Sequence, residues 1–205
     1  MRVTRTTLRA PSPDVARGLL GARIVSTLGG VRVAVRLTEI EAYAGMGADP
    51  ASHAHRGRTS RNATMFGGPG LLYVYFTYGM HWCANVVCGP DGTASAVLLR
   101  AGEVVDGEAA AFERRPAARR SVDLARGPAR LAAALGINGA HDGLDLLDAG
   151  STVRLVGGVP VPSSRINEGR RTGVSGAGAV TPWRFWIDGE PSVSPYRPAR
   201  PRATG

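Results

Sequence analysis

The sequence contains no lysine: all 25 of its basic residues are arginine. No side-chain amine is therefore available to form a Schiff base or to serve as a phosphate-loop lysine. Cysteine is scarce as well. Cys83 and Cys88 sit in apolar surroundings without a Cys-x-x-Cys pair, so two buried thiols are expected and a structural zinc site is not. The stretch MRVTRTTLRAPSPD has basic residues but no apolar core behind them, and does not read as a secretory signal. The span from Asn62 to Pro90 lacks acidic and basic charge, which invites a membrane reading. Pro69, four glycines before residue 80, His81 and Asn85 argue for buried sheet instead. Signatures of common sites are missing too. GVSGAGAV does not follow the order G-x-G-x-x-G, and neither G-x-S-x-G nor H-E-x-x-H occurs.

What is present is a strongly basic chain of 205 residues, 43% hydrophobic, with net charge +9 and an isoelectric point near 10.8. Genomic base composition can favour arginine codons over lysine codons, but it does not explain an excess of positive over negative charge. A basic domain points first to nucleic acid, with membrane surfaces and acidic proteins as weaker alternatives.

The pattern predicts one mixed α+β domain over residues 1–196, with 197–205 a basic, proline-rich and loosely ordered tail. PSPDVARGLLG reads as a helix with Ser12 as cap, Pro13 in the first turn and Gly21 as stop. ARIVST and VRVAVRLTEIEAY flank LGG as a hairpin, and LLYVYFTY and HWCANVVC form a second hairpin closing near Gly79. Between the hairpins lies a long loop rich in glycine and arginine. A further strand, GTASAVLLRAGEV, precedes a helical region from about 106 to 136, which ends in the well-punctuated GPARLAAALG.

Several residues stand out as chemistry. Along VRVAVRL the odd positions Val31, Val33, Val35 and Leu37 share a face, and the same period carries Glu39, Glu41 and Tyr43 onto it. Either a bulge near Thr38 reverses the register and returns both acids to solvent, or at least one carboxylate is desolvated with a raised pKa and can act as a base. His53 and His55 form an H-x-H that could join the glutamates in a metal site, although no third strong ligand is near in sequence. Arg56, Arg58 and Arg61, beside glycine and hydroxyl side chains, suit a loop that touches phosphates. Tyr73, Tyr75 and Tyr78 fall within six residues. Tyr73 suits the core, whereas Tyr78 at a hairpin turn suits a wedge between bases.

Taken together, TEIEAY, SHAHRGRTSRN, MFGGPGLLYVYFTYGMHWCANVV, AVLLRA, GPARLAAALGI and PWRFW resemble the alkyladenine (3-methyladenine) DNA glycosylase family, in the family's order, from about residue 10 to 194. The resemblance implies a curved antiparallel β-sheet with a protruding hairpin. It implies a monofunctional, cofactor-free and metal-free enzyme of base excision repair, a cytoplasmic monomer acting on double-stranded DNA that contains damaged purines. Glu41 matches the general base, Arg100 a residue that helps hold the attacking water, and Val174 a backbone carbonyl that does the same. Tyr43 matches one aromatic wall for the flipped base, His53 and Tyr75 the opposite wall, Asn85 a residue that crowds the amine of normal guanine, and Tyr78 the side chain filling the gap in the duplex. The sequence departs from the family at Ser60, where proline is frequent, and in GVSGAGAVT, which lacks the usual acids. Two other classes compete with this reading: a non-catalytic nucleic-acid-binding module, which leaves Glu41 idle, and a metal-dependent hydrolase using His53, His55 and the glutamates.

Overall fold

The computed structural model describes residues 2–199. Two short helices, α1 (Arg5–Leu8) and α2 (Ser12–Leu19), precede a hairpin of β1 (Arg23–Ser26) and β2 (Val33–Tyr43). Pro11, rather than Ser12, occupies the cap of α2, because its own backbone (φ −52°, ψ 144°) already holds the extended conformation a cap requires. Ser12 becomes the first helical residue, and its hydroxyl is buried with no partner among the described residues. A second hairpin joins β3 (Leu72–Thr77) to β4 (His81–Cys88), and β5 (Ser95–Asp106) follows.

The region expected to be helical from 106 onward is broken into α3 (Glu108–Arg114) and α4 (Pro128–Leu135). Pro116 lacks the backbone N–H a helix needs and forces the preceding Arg115 out of the helical region, to φ −130° and ψ 59°. The chain finishes with β6 (Val153–Val156), β7 (Ile166–Gly169) and β8 (Arg184–Ile187). No helix among the described residues is long and apolar enough to cross a membrane. Most of the expected tail, from residue 200, lies outside the described residues; at its start, the Arg197 carbonyl accepts a hydrogen bond from the Gly173 amide.

All eight strands form one antiparallel sheet in the order β3-β4-β5-β2-β1-β6, with β8 paired to β2 and β7 to β8. Helices α2, α3 and α4 cover one face. Val15, Leu19, Ala111, Leu131 and Leu135 pack there against Ile24, Val35, Leu99 and Phe185 in the main apolar cluster. The opposite face carries a smaller cluster in which Tyr73, Val87 and Ala96 meet Ala54 and Met65 from the long loop.

The two faces exchange their claims on β2 at Thr38. Val33, Val35 and Leu37 point into the main core, but the pairing with β5 slips between Leu37 and Ile40, so that Ile40 and Ala42 take over the core positions. Glu39 and Glu41 thus lie on the face opposite the valines, contrary to the simple alternation. A bulge does reverse the register, yet it does not expose the acids, since both are fully buried. Thr38 itself is held by a 2.8 Å hydroxyl contact with Ser192.

The bulge demands a close approach of backbones. Gly102 pairs with Leu37, and a Cβ at Gly102 would stand 2.4 Å from the Arg36 carbonyl oxygen and 2.4 Å from a Val35 methyl. Gly102→Ala is expected to cost about 1–3 kcal/mol through overpacking. In a thermal melt followed by circular dichroism this should lower Tm by roughly 2–4 °C per kcal/mol. An unchanged Tm would show that the strands part without strain and that the glycine is not needed for the bulge.

Candidate active site

Strand register lines up one row of side chains across the face opposite the helices. Arg184 on β8 is paired with Glu41 on β2, Glu41 with Leu98 on β5, Leu98 with Asn85 on β4, and Asn85 with Tyr73 on β3. Arg100, two residues from Leu98, joins the same face. Because these residues sit on paired strands, their spacing is set by the ladder rather than by flexible loops.

Glu39 and Glu41 are both buried, and each is surrounded by donors. Glu39 Oε1 accepts from Arg100 Nε at 2.8 Å, from Arg184 Nε at 2.6 Å and from the Ser194 hydroxyl at 3.0 Å, while Oε2 accepts from the Ser194 amide at 2.7 Å. Glu41 is less fully occupied. Its Oε1 accepts from the Thr172 amide at 2.7 Å and lies 3.5 Å from Arg100 Nε, and among the described residues its Oε2 accepts only from the Tyr43 hydroxyl at 3.0 Å. Burial raises the Glu41 pKa above the ordinary carboxylate value. The Arg100 charge and the Thr172 amide offset part of that rise, and repulsion from Glu39 adds to it. A carboxylate has about four lone-pair sites, so Glu41 Oε2 retains room for a further donor.

Tyr43 is fixed from behind. The Arg171 guanidinium lies 4.6 Å from its ring centroid and 5.4 Å from that of Trp183. Arg171 is itself fully buried, donating to both Asp49 oxygens at 2.6 and 2.8 Å, to the Ala42 carbonyl at 2.9 Å and to the Gly178 carbonyl at 3.1 Å. One side chain thereby joins β2, the long loop and the segment after β7. The Tyr43 hydroxyl, buried beside Glu41, has its pKa pushed well above that of a free tyrosine, first by desolvation and then by the neighbouring negative charge.

The long loop brings His53 over the aromatic strand. Its Nδ1 is 3.0 Å from the Tyr73 hydroxyl, and its ring meets Tyr75 edge-on with centroids 4.5 Å apart. Desolvation, then the charge of Arg61, holds the His53 pKa below the ordinary value. Asn62 secures this turn by donating to the carbonyls of His53 and Gly57. The Asn85 amide nitrogen donates to the Tyr73 carbonyl at 3.0 Å, and its side chain is buried. At the hairpin end, Tyr78 is 83% exposed with φ +52°, and the apolar side chains of Phe76 and Met80 are exposed with it. Arg56, Arg58 and Arg61 are all exposed; Arg61 donates to the Phe76 carbonyl at 3.0 Å, which ties the basic loop to the hairpin.

Of the residues singled out from the sequence, Glu41, Tyr43 and Arg100 converge directly, and His53, Tyr75 and Asn85 line the adjoining strands. Val174 does not join them by a hydrogen bond among the described residues. Thr172, two positions earlier, is the backbone that reaches Glu41. Arg171, Asp49, Arg184 and Ser194 were not foreseen: nothing local marks an arginine whose partner is 122 residues away. No three His, Cys, Asp or Glu side chains among the described residues gather as metal ligands; the His55 Nδ1 is buried without a partner. A cleft of about 990 Å³ lies at the β6 edge between Arg2, Arg23 and Arg154, and none of the residues above lines it.

The methylpurine-DNA glycosylase family model matches residues 6–191. Three similar proteins are provisionally named 3-methyladenine DNA glycosylase. One from Streptomyces avermitilis is 54% identical over 201 residues, covering 98% of this chain and 94% of its own. Another from Leifsonia xyli is 55% identical over 199 residues, covering 94% and 92%. The third, from Mycobacterium tuberculosis, is 50% identical over 186 residues, covering 89% and 88%. A match across nearly the whole chain, onto a face where Glu41, Arg100 and Tyr43 meet, leads to one conclusion: the chain belongs to the methylpurine-DNA glycosylase family.

Proposed function

We propose that this enzyme hydrolyses the N-glycosidic bond of alkylated or deaminated purines, of the 3-methyladenine, 7-methylguanine and hypoxanthine class, flipped out of duplex DNA. The observation that carries the reading is the state of Glu41: buried, of raised pKa, and with one oxygen still able to accept from a water. A base in a desolvated site is matched to proton removal near neutral pH. The Nη atoms of Arg100 make no hydrogen bond among the described residues, and are therefore available to the same water. The Val174 carbonyl is the backbone acceptor in this reading, and Thr172, two residues earlier, orients the carboxylate through its amide N–H.

In this reading Glu41 takes a proton from the water as its oxygen bonds to C1′ of the deoxyribose. The C1′–N bond breaks, and its electron pair leaves with the purine. An alkylated purine is a cationic leaving group, so little acid assistance is required. Selection then rests on stacking and on the lower cost of flipping a damaged base. Tyr43 offers one flat face, its other face being taken by Arg171, while His53 and Tyr75 form the opposing wall. Asn85, whose side-chain amide donates to the Tyr73 carbonyl, is in this reading the residue that crowds an exocyclic amine. Arg56, Arg58 and Arg61 contact phosphates, and Tyr78 enters the duplex. Without lysine the product is an intact strand with an abasic site.

Glu41→Gln is expected to reduce single-turnover base release by about 10²–10⁴-fold, the usual contribution of a general base, while lesion-duplex binding is retained. The measurement is base release from duplexes each carrying one of these lesions, paired with a mobility-shift assay; near-normal turnover would remove Glu41 from the mechanism.

Tyr78→Ala should weaken binding to lesion duplexes by about 1–3 kcal/mol, the scale of an aromatic stacking contact, and matter far less on unpaired lesion DNA. Tyr43→Ala should reduce base release on both substrates alike. Equal losses for Tyr78→Ala on paired and unpaired DNA would end the wedge assignment.

A further inference from the structure

Two carboxylates and two guanidiniums form a closed set at the end of the row: Glu39 and Glu41 on β2, Arg100 on β5 and Arg184 on β8. Four unit charges of cancelling sign are acceptable in a buried place only if each is matched locally. The matching is unequal. A single nitrogen, Arg100 Nε, is shared between the acids, 2.8 Å from Glu39 and 3.5 Å from Glu41. Glu39 also holds Arg184 and both donors of Ser194, so it makes four hydrogen bonds where Glu41 makes two. Both acids are wholly buried, so what separates them is occupancy: the oxygens of Glu39 are taken by four donors, and it is held as structure rather than offered to a substrate.

We propose that Glu39 is a positioning residue that keeps Glu41 a competent base by drawing the Arg100 guanidinium toward itself and leaving Glu41 only loosely paired. Were Arg100 to close fully on Glu41, the ion pair would stabilise the carboxylate and weaken it as a proton acceptor. Arg184 limits the pull: by supplying Glu39 with a second cation, it lets Arg100 remain within reach of Glu41. The segment carrying Ser194 completes the balance through its amide and hydroxyl. The other groups that feel the Glu41 charge are Tyr43 beside it on β2, Tyr75 on β3, Cys83 on β4 and Arg171 after β7. None of these hydrogen-bonds to Glu39 among the described residues, so substitutions at Glu39 and Arg184 act on Glu41 chiefly through Arg100 and through the charge of Glu39 itself. The burial-raised proton affinity of Glu41 is consistent with this arrangement, with Glu39 contributing to the rise.

The inference rests on reading Glu41 as the base, and the test separates the two. Glu39→Gln removes a negative charge and frees Arg100 for Glu41, so the Glu41 pKa should fall. The base form then persists to lower pH, and the acid limb of the single-turnover pH profile moves down by about one unit, with a reduced plateau because the base is weaker. Arg184→Gln should do the opposite: Glu39 takes Arg100 more completely, the Glu41 pKa rises, and the acid limb moves up. Ser194→Ala, which keeps every charge, should move it up by less. Carbon-13 NMR titration of the glutamate side-chain carboxyls, with Glu41→Gln used to assign the signal, reads the Glu41 pKa directly without assuming catalysis. Thermal melts establish that each variant is folded. Opposite displacements in Glu39→Gln and Arg184→Gln support the proposal. If either of these two variants does not fold, the direction in the other and in Ser194→Ala decides. An unmoved Glu41 titration in the folded variants, or a uniform rate loss without displacement, overturns it. If the NMR titration moves as described but Glu41→Gln still releases base, the positioning stands and the catalytic reading of Glu41 fails.

Discussion

A strand presents its side chains to two faces in strict alternation, and β2 must satisfy a different requirement on each. Up to Leu37 its buried side is the helix-covered core; beyond it the chain has to keep filling that core while carrying two acids to the other face. One irregularity reconciles these demands: Thr38 on β2 and Arg100 on β5 drop out of the pairing between Leu37–Gly102 and Ile40–Leu99, so β2 reverses its alternation while the overall register with β5 is kept. Ile40 and Ala42 continue the packing, and Glu39, Glu41 and Tyr43 arrive on the opposite face in line with β5 and β8. Gly102 permits the approach, Thr38 is anchored to Ser192, and the row from Arg184 to Tyr73 follows from the reversed alternation.

Placing two carboxylates in a desolvated layer would be prohibitive without partners, and the partners come from distant parts of the chain. Arg100, Arg184, Ser194 and the Thr172 amide all converge on β2. The matching is unequal: among the described residues Glu39 accepts four hydrogen bonds and Glu41 two. A second buried pair, Arg171 with Asp49, does for the aromatic wall what the first does for the carboxylates, since it fixes Tyr43 and the loop that bears His53 in one step.

The two hairpins, the strand at Ser95–Asp106 and the helix at Pro128–Leu135 could be read from alternation and from punctuation by proline and glycine, because these signals are local. The burial of Glu41 was legible as well, though by an argument that misplaced its face. Alternation predicts a continuous valine side, and a bulge is a non-local event decided by what β5 can accommodate at Gly102. The expected alternatives paired a reversed register with exposure; the register reverses, and β8 together with the segment at 192–194 closes the second face. The cap at Ser12 failed for a local reason, a preceding proline that already supplies the conformation. Arg171, Arg184 and Ser194 had no sequence signal, since in an arginine-rich chain no single arginine stands out and a serine near residue 194 is unremarkable. Val174 was chosen from a loose match; among the described residues the backbone contact made to Glu41 comes from the Thr172 amide, two residues earlier, which no local signal marks.

The contact between Ser194 and Glu39 joins positions 155 residues apart. Loops of that size close slowly, because the entropy of bringing their ends together is lost before any contact rewards it. During synthesis the acids on β2 therefore emerge long before the amide, hydroxyl and guanidinium that complete their surroundings. A nascent chain that has made both hairpins has four of the eight strands, still unjoined until β5 pairs between them, and β2 has no finished carboxylate site until β8 and the residues beyond it fold over it. The order of synthesis therefore leaves the completion of the carboxylate cluster to the last part of the chain to emerge.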